Sequence, residues 1–325
     1  MAKPALVISL DFELYWGLID VCSLSSYTAN LRGVPKAVDG MLDLFAAFDV
    51  HATWATVGFL FLDSMDEVRA HRPSILPAYA DGRLDPFAYV DGPARGADPT
   101  LHFAPHLIER VLASPGQELA THTLSHFYTL EAPTALEAFR VDLEMAVAVA
   151  RRRFGAELTS IAFPRNQYSA DHLGIARQAG MTAFRGSPEQ WMYSTRAGSD
   201  DSRVARLARF ADTYLPVVRD TTYVPAVPPL GQPVNVVGSR FLRPWSQRRR
   251  RLDRLRIRRV IGEMRTAAQR GHHYHLWWHP HNFGLAPTEN LAALRQILEE
   301  FAALRETHGM RSLSMREVAA SLTDG

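Results

Sequence analysis

Two carboxylates one residue apart, Asp11-Phe12-Glu13, follow directly on the apolar run Ala5 to Leu10. Side chains alternate on an extended backbone, so Asp11 and Glu13 share a face while Phe12 points the other way. Alone, such a pair reads as well as an N-cap or two solvated loop acids, because short motifs recur by accident. His122-Thr-Leu-Ser-His126 adds two imidazoles four residues apart. They meet across one helical turn or a tight loop and can clamp a single ion. One carboxylate would complete a two-histidine, one-carboxylate set with open positions for water and substrate. Without that carboxylate, metal ligands and structural histidines are equal readings of the pair.

The same spacing recurs at His102/His106 and His275/His279. Pro105, a helix start, splits the first pair, so its imidazoles should not share a face. The second lies on an apolar strand, where residues four apart stand ~13 Å apart at ~3.3 Å per residue. The segment His272-His-Tyr-His-Leu-Trp-Trp-His-Pro-His-Asn282 competes as a metal site by composition. Strand alternation there puts His273, His275, Trp277 and His279 on one side and His272, Tyr274, Leu276 and Trp278 on the other. His279, at the strand's end and before Pro280, is better placed for general-acid work than for joining a cluster.

These residues need elements to bring them together. Short β-rich runs at Ala5–Leu10, Ala52–Gly58, Glu118–Ala120, Ser160–Phe163, Thr182–Phe184, Val234–Val237 and Tyr274–Trp278 read as strands. Helical patterns lie at Val34–Phe48, Pro105–Leu112, Thr134–Phe154, Ala170–Ala179, Leu252–Gln269 and Thr288–Thr307. The alternation predicts an α/β fold with parallel strands, since each crossover between parallel strands consumes a helix. Asp11 and Glu13, His122, Arg165 and His279 each come just after a strand. In a parallel barrel the strand ends open on one face, so they should converge there.

The 325 residues, 47% hydrophobic and 22% charged, suit a globular protein, and an α/β barrel uses that length as one domain, 1–325. A Pro-, Gly- and Asp-rich stretch, about 71–99, reads as a long insertion at one end of the core, where ordered loops often act as lids. The stretch 187–233 shows no readable strands. A net charge of +2 gives no field for nucleic acid, and the lone Cys22 excludes an internal disulfide. The N-terminal apolar run is too short for a signal peptide, and nothing approaches a membrane span, so a cytoplasmic protein is expected. Arg248–Arg259 carries eight arginines; a solvated helix face is favoured over a patch for a phosphate-bearing carrier.

Taken in order, Asp11-x-Glu13, the H-[ST]-x-x-H of His122–His126, Phe163-Pro164-Arg165-Asn166 and Leu276-Trp-Trp-His279 resemble the successive motifs of the NodB-type polysaccharide deacetylases, in a D-x-E variant. The resemblance implies a distorted (β/α) barrel holding one divalent metal, zinc or else Co, Ni, Mn or Fe, on Glu13, His122 and His126. It implies removal of acetyl from an N-acetylated sugar, with Asp11 as base, Arg165 as its partner and His279 as acid. A backbone N–H in the loop after Arg165 would help hold the oxyanion. Trp16, Asn166, Tyr168 and Trp278 are the expected substrate contacts, and Trp16 and Trp278 with the insertion are expected to close a pocket over a small or carrier-linked amino sugar. Here Phe12 stands where the family commonly has a second aspartate, and Pro164-Arg165 inverts the usual order. A deformylase or cyclic amide hydrolase is the alternative activity. A sugar-binding barrel without turnover is the alternative of another class. An iron oxygenase is disfavoured, because those sites sit in jelly-roll barrels.

Overall fold

The computed structural model describes residues 3–194, 197, 202–218 and 220–323. The strands are β1 (Ala5–Phe12), β2 (Ala52–Thr56), β3 (Gln117–Thr121), β4 (Ser160–Ala162), β5 (Ala183–Arg185), β6 (Val234–Asn235), β7 (Arg240–Phe241), β8 (His273–Trp278) and β9 (Arg311–Leu313). They pair in parallel in the order β6-β5-β4-β3-β2-β1-β8-β7. β9 lies beside Ala5–Val7 of β1, and β2 takes up the pairing from Ile8 onward.

The two ends of that order are consecutive pieces of one stretch. Val236 and Gly238 donate to Phe184 and Gly186, continuing along β5, and Leu242 donates to Trp277 of β8. The chain from 234 to 242 thus passes from one edge to the other and closes the sheet into the expected distorted (β/α) barrel. All eight residues of β1 are buried, as in a central parallel strand covered on both faces. Leu6, Ile8, Leu10 and Phe12 face the outer core, whereas Val7 packs inside with Ala183, Val234 and Val236. Ser9 and Asp11 share that inner face by alternation. Asp11 is in register with Ala55, and Ala55 with Ala120. Small residues at this level, with Ala162, leave room for polar side chains at the strand ends.

Helices cover the outside through apolar stripes. Helix 34–48 buries Val34, Ala37, Val38, Met41, Leu42 and Phe45, spaced three and four apart. Each such Val, Leu, Met or Phe contributes about 1.5–3 kcal/mol of transfer free energy. Helix 315–323 seals the end where the strands begin, setting Met315, Val318 and Ala319 against Val7, Ala183 and Val234. No helix among the described residues is long and apolar enough to cross a membrane.

The expected insertion differs from a lid. It forms a turn at Gly82–Leu84 and a helix at Pro86–Asp91, and it buries Leu84, Phe87 and Val90. Phe87 packs on Phe59, and Tyr89 on Trp16 and His102. With its apolar groups committed beside the loop that follows β1, the segment contributes nothing to the lining of the main cavity.

Candidate active site and metal centre

Glu13 follows β1 at the open end of the barrel and is buried. Its Oε2 lies 3.5 Å from His122 Nε2 and 3.2 Å from His126 Nε2. Donor atoms of the three residues all fall within 4.8 Å of one another. Burial alone would raise the Glu13 carboxyl; the facing His279, His122 and His126 hold it well below the usual range. Gly17 makes room for this carboxylate, since a Cβ there would meet Glu13 Cδ at 2.1 Å.

The histidines meet across a tight loop, not a helix. Leu124 N–H and Ser125 Oγ donate to the two oxygens of buried Asp142, at 2.7 and 2.5 Å, and Phe127 N–H donates to Thr123 Oγ1 at 2.7 Å. Burial pushes Asp142 up to about 6, against the lowering effect of those donors. His122 Nδ1 lies 2.7 Å from the Ala162 carbonyl. A carbonyl only accepts, so Nδ1 carries a proton, and in the neutral ring the Nε2 lone pair faces the Glu13 carboxylate. In that form the two face each other as acceptors, an arrangement that a cation between them satisfies. The donor set therefore fits a divalent metal, with His122 fixed by an outer hydrogen bond as metal-binding histidines are.

Asp11 is held by a different arginine from the one expected. Arg185, the last residue of β5, donates Nη1 to Asp11 Oδ1 at 2.5 Å and Nη2 to Oδ2 at 2.7 Å. Burial would raise the Asp11 carboxyl, but the Arg185 charge overcomes it and the pKa lies below its ordinary value. Arg185 also donates to Ser9 Oγ and to Asn166 Oδ1, and it stacks over Trp277 at 4.2 Å. Ser9 in turn meets His275 Nε2 at 2.8 Å, and His275 Nδ1 meets the Val236 carbonyl at 3.2 Å. Burial keeps His275 neutral, with its pKa down to about 3.

The expected Arg165–Asp11 pair is corrected. Arg165 and Asn166 both adopt left-handed backbone, φ 55° and 52°. Arg165 there pairs with Asp20 and lies over the Tyr128 ring. The N–H groups of Asn166 and Gln167 close this turn onto Phe163 and Pro164 carbonyls, so neither is free to serve as the expected oxyanion donor.

His279 Nε2 stands 3.7 Å from Asp11 Oδ2 and 3.6 Å from Glu13 Oε1. Tyr27 donates to Asn282 Oδ1 and Asn282 Nδ2 donates to His279 Nδ1, which places the neutral ring's proton on Nε2, toward the carboxylates. His281, unassigned from sequence, is buried beneath it with ring centroids 5.0 Å apart.

These groups open into a cavity of about 540 Å³ lined by Asp11, Glu13, His122, His126, Arg165, Asn166, Trp277 and His279. Its remaining wall includes Tyr193, Arg209 and Thr213, from the stretch 187–233 that shows no readable strands, and Gly238 to Phe241 with Arg243 beyond it. Three expected substrate contacts do not reach it. Trp16 is fully buried, donating to the His102 carbonyl, and Trp278 is fully buried against Met41. Tyr168 packs between Phe163 and Phe184. Alternation along β8 already separated Trp277, which lines the cavity, from Trp278. Arg185 carried a readable signal too, because it follows directly on the expected strand Thr182–Phe184.

Residues 32–184 match the family model described as polysaccharide deacetylase. That span includes His122, His126 and Arg165 and leaves Asp11, Glu13, Arg185 and His279 outside it. No curated protein sequence matches the chain. Among solved structures, a protein from Mycobacterium smegmatis assigned as a polysaccharide deacetylase aligns at 14% identity and TM-score 0.64, over 99% of this chain and 91% of its own. Puue allantoinase aligns at 11% and 0.60, over 99% and 91%. A branching enzyme of the GH57 type from Pyrococcus horikoshii aligns at 10% and 0.54, over 100% and 70%. At these identities the likenesses establish the fold.

Proposed function

We propose, from the match of residues 32–184 to the polysaccharide deacetylase family and from the site's geometry, that the protein hydrolyses an N-acyl group, acetyl in the first instance, from a free or carrier-linked amino sugar. A divalent metal, zinc before Co, Ni, Mn or Fe, would be held by Glu13, His122 and His126. The observation that carries this reading is the buried group of Glu13, His122 and His126, whose donor atoms lie within 4.8 Å of one another. Bound there, a divalent ion supplies Lewis acidity toward the amide carbonyl and lowers the pKa of water.

The chain's own groups divide the remaining work. Asp11, kept ionised by Arg185, takes the proton of the attacking water. His279 delivers a proton from Nε2 to the departing amine nitrogen, without which the tetrahedral adduct would collapse backwards. Asn166, which accepts from Arg185 while lining the cavity, and Trp277 form the substrate wall. Arg165 acts at that wall and not on the base. The cavity suits a small molecule or the end of a carrier better than a polymer, in keeping with a cytoplasmic setting.

A hydrolysis screen of metal-loaded protein tests the reading, using N-acetyl, N-formyl and cyclic-imide substrates with free and carrier-linked sugars. Chelator-sensitive acetate release with one metal per chain is the expected result. Formate release or ring opening alone would reassign it as a deformylase or cyclic amide hydrolase. Sugar binding with no metal and no turnover would leave a binding barrel.

A further inference from the structure

Four arginines, Arg165, Arg209, Arg240 and Arg243, line the cavity, and Arg243 has no carboxylate partner among the described residues. Arg165 is neutralised by Asp20, and Arg240 by Asp212 and Glu263. Arg243 is half-buried and lines the same cavity. Its Nε donates to Thr213 Oγ1 at 3.2 Å, and its guanidinium lies 5.3 Å from the Phe210 ring. No carboxylate among the described residues stands within ion-pair distance of it. Its neighbours are cations: Arg209 on the same wall, and Arg249 over the same Phe210 ring at 5.4 Å. Burial, then the charges of Arg249 and Arg209, push its pKa down.

This arginine is also fixed in place. Its carbonyl accepts from Arg256 Nη1 at 2.6 Å, and Leu242 just before it donates to Trp277. A guanidinium removed from water without an acid is costly, and the cost is recovered when a ligand brings the anion. The planar fork matches the oxygens of a phosphate or carboxylate. We propose that the substrate of the hydrolase carries an anionic group, phosphate or carboxylate, that docks on Arg243 while its acyl-amide lies at Asp11 and His279. The proposal rests on the hydrolase reading for the amide end only. It also gives the arginine run a role: exposed Arg249 shares the Phe210 ring with Arg243 and adds to the positive field there.

The test compares matched substrates: N-acetylglucosamine, its 1- and 6-phosphates, and N-acetylmuramic acid as the carboxylate arm. The anionic form should exceed the neutral parent by roughly 10- to 100-fold in kcat/KM, the size of one charge-assisted contact. Arg243→Gln should erase the preference, Arg243→Lys should keep part of it, and whichever arm shows it identifies the anion. Equal kcat/KM for neutral and anionic substrates, or a preference surviving Arg243→Gln, overturns the proposal. Calorimetric binding of the same phosphates to metal-free protein separates the two readings. Binding lost in Arg243→Gln with no turnover of any substrate keeps the anion site and sinks the hydrolase. Turnover without anion preference does the reverse. If Arg243→Gln does not fold, as judged by circular dichroism, the wild-type ratio and its fall with rising salt decide the question.

Discussion

Replacing Arg185 should damage this protein far more than replacing Arg165, although only Arg165 belongs to the motif that resembles the family. Arg185 and Asp11 have side chains 1% and 4% exposed, joined by two bonds at 2.5 and 2.7 Å. Arg185→Met would leave a buried carboxylate without its cation, which costs about 3–5 kcal/mol of stability. Arg165 and Asp20 are 31% and 11% exposed, so Arg165→Met should cost about 1 kcal/mol or less. Loss of orientation at a general base should also lower kcat by roughly 100-fold or more in Arg185→Met, whereas Arg165→Met, at the cavity wall, should act mainly on KM. Lysine at 185 cannot reproduce the paired fork and should restore only part of either quantity. Urea unfolding and steady-state kinetics on the best substrate from the screen measure both effects. An Arg185→Met variant within threefold of wild-type kcat, beside an Arg165→Met variant that is dead, would refute the assignment of Arg185 as the residue that positions Asp11.

Asp11→Asn should abolish turnover while retaining stoichiometric metal, and His126→Ala should lose both; elemental analysis beside the activity assay tells base from ligand. Gly17→Ala drives a Cβ into the Glu13 carboxylate, so metal affinity measured by chelator competition should fall roughly 10-fold or more. The Asp142 pKa is raised from 3.8 to about 6 in the folded state. The native protein then binds that proton more tightly than the unfolded chain, so this stabilisation is complete below about pH 3.8 and lost as pH rises through 6, by at most about 3 kcal/mol. Asp142→Asn should remove that part of the slope in urea titrations across this range, and an unchanged slope would assign it to another group.

The barrel and the Glu13, His122 and His126 group were legible because they rest on strong local signals. β1 is a continuous apolar run ending in Asp11-x-Glu13, and the seven expected strands all pair in the sheet. β7 and β9 were not read, since two or three residues carry no period-two pattern. Helix 24–32 buries only Leu31, and helix 203–212 only Ala205 and Asp212, so neither shows an apolar stripe. Side-chain partners were harder to read than elements. Which arginine meets Asp11 depends on the turn after Phe163, where left-handed backbone at Arg165 and Asn166 accompanies the pairing with Asp20. Local propensity at a non-glycine residue argues against such a conformation.

That exception extends to the whole site. Among the described non-glycine residues, positive φ occurs at Leu14, Thr123, His126, Arg165 and Asn166, and elsewhere only at the helix end Asp49. The first five lie in the loops that carry or adjoin Glu13, the two histidines and the cavity wall. Thr123 is the most demanding case, because a β-branched side chain rarely tolerates φ near 66°. Its hydroxyl accepts the Phe127 N–H, and Asp142 ties down Leu124 and Ser125 between the two histidines. These buried bonds offset a backbone that costs roughly 1–3 kcal/mol per strained residue. The strain aims both Nε2 atoms at one carboxylate oxygen, a convergence that five residues of relaxed helix or strand would not need to hold by hydrogen bonds from outside the loop. The residues farthest from any sequence rule are therefore those that bring Glu13, His122 and His126 together, and Asp142, which no motif includes, is what keeps the loop between the histidines in place.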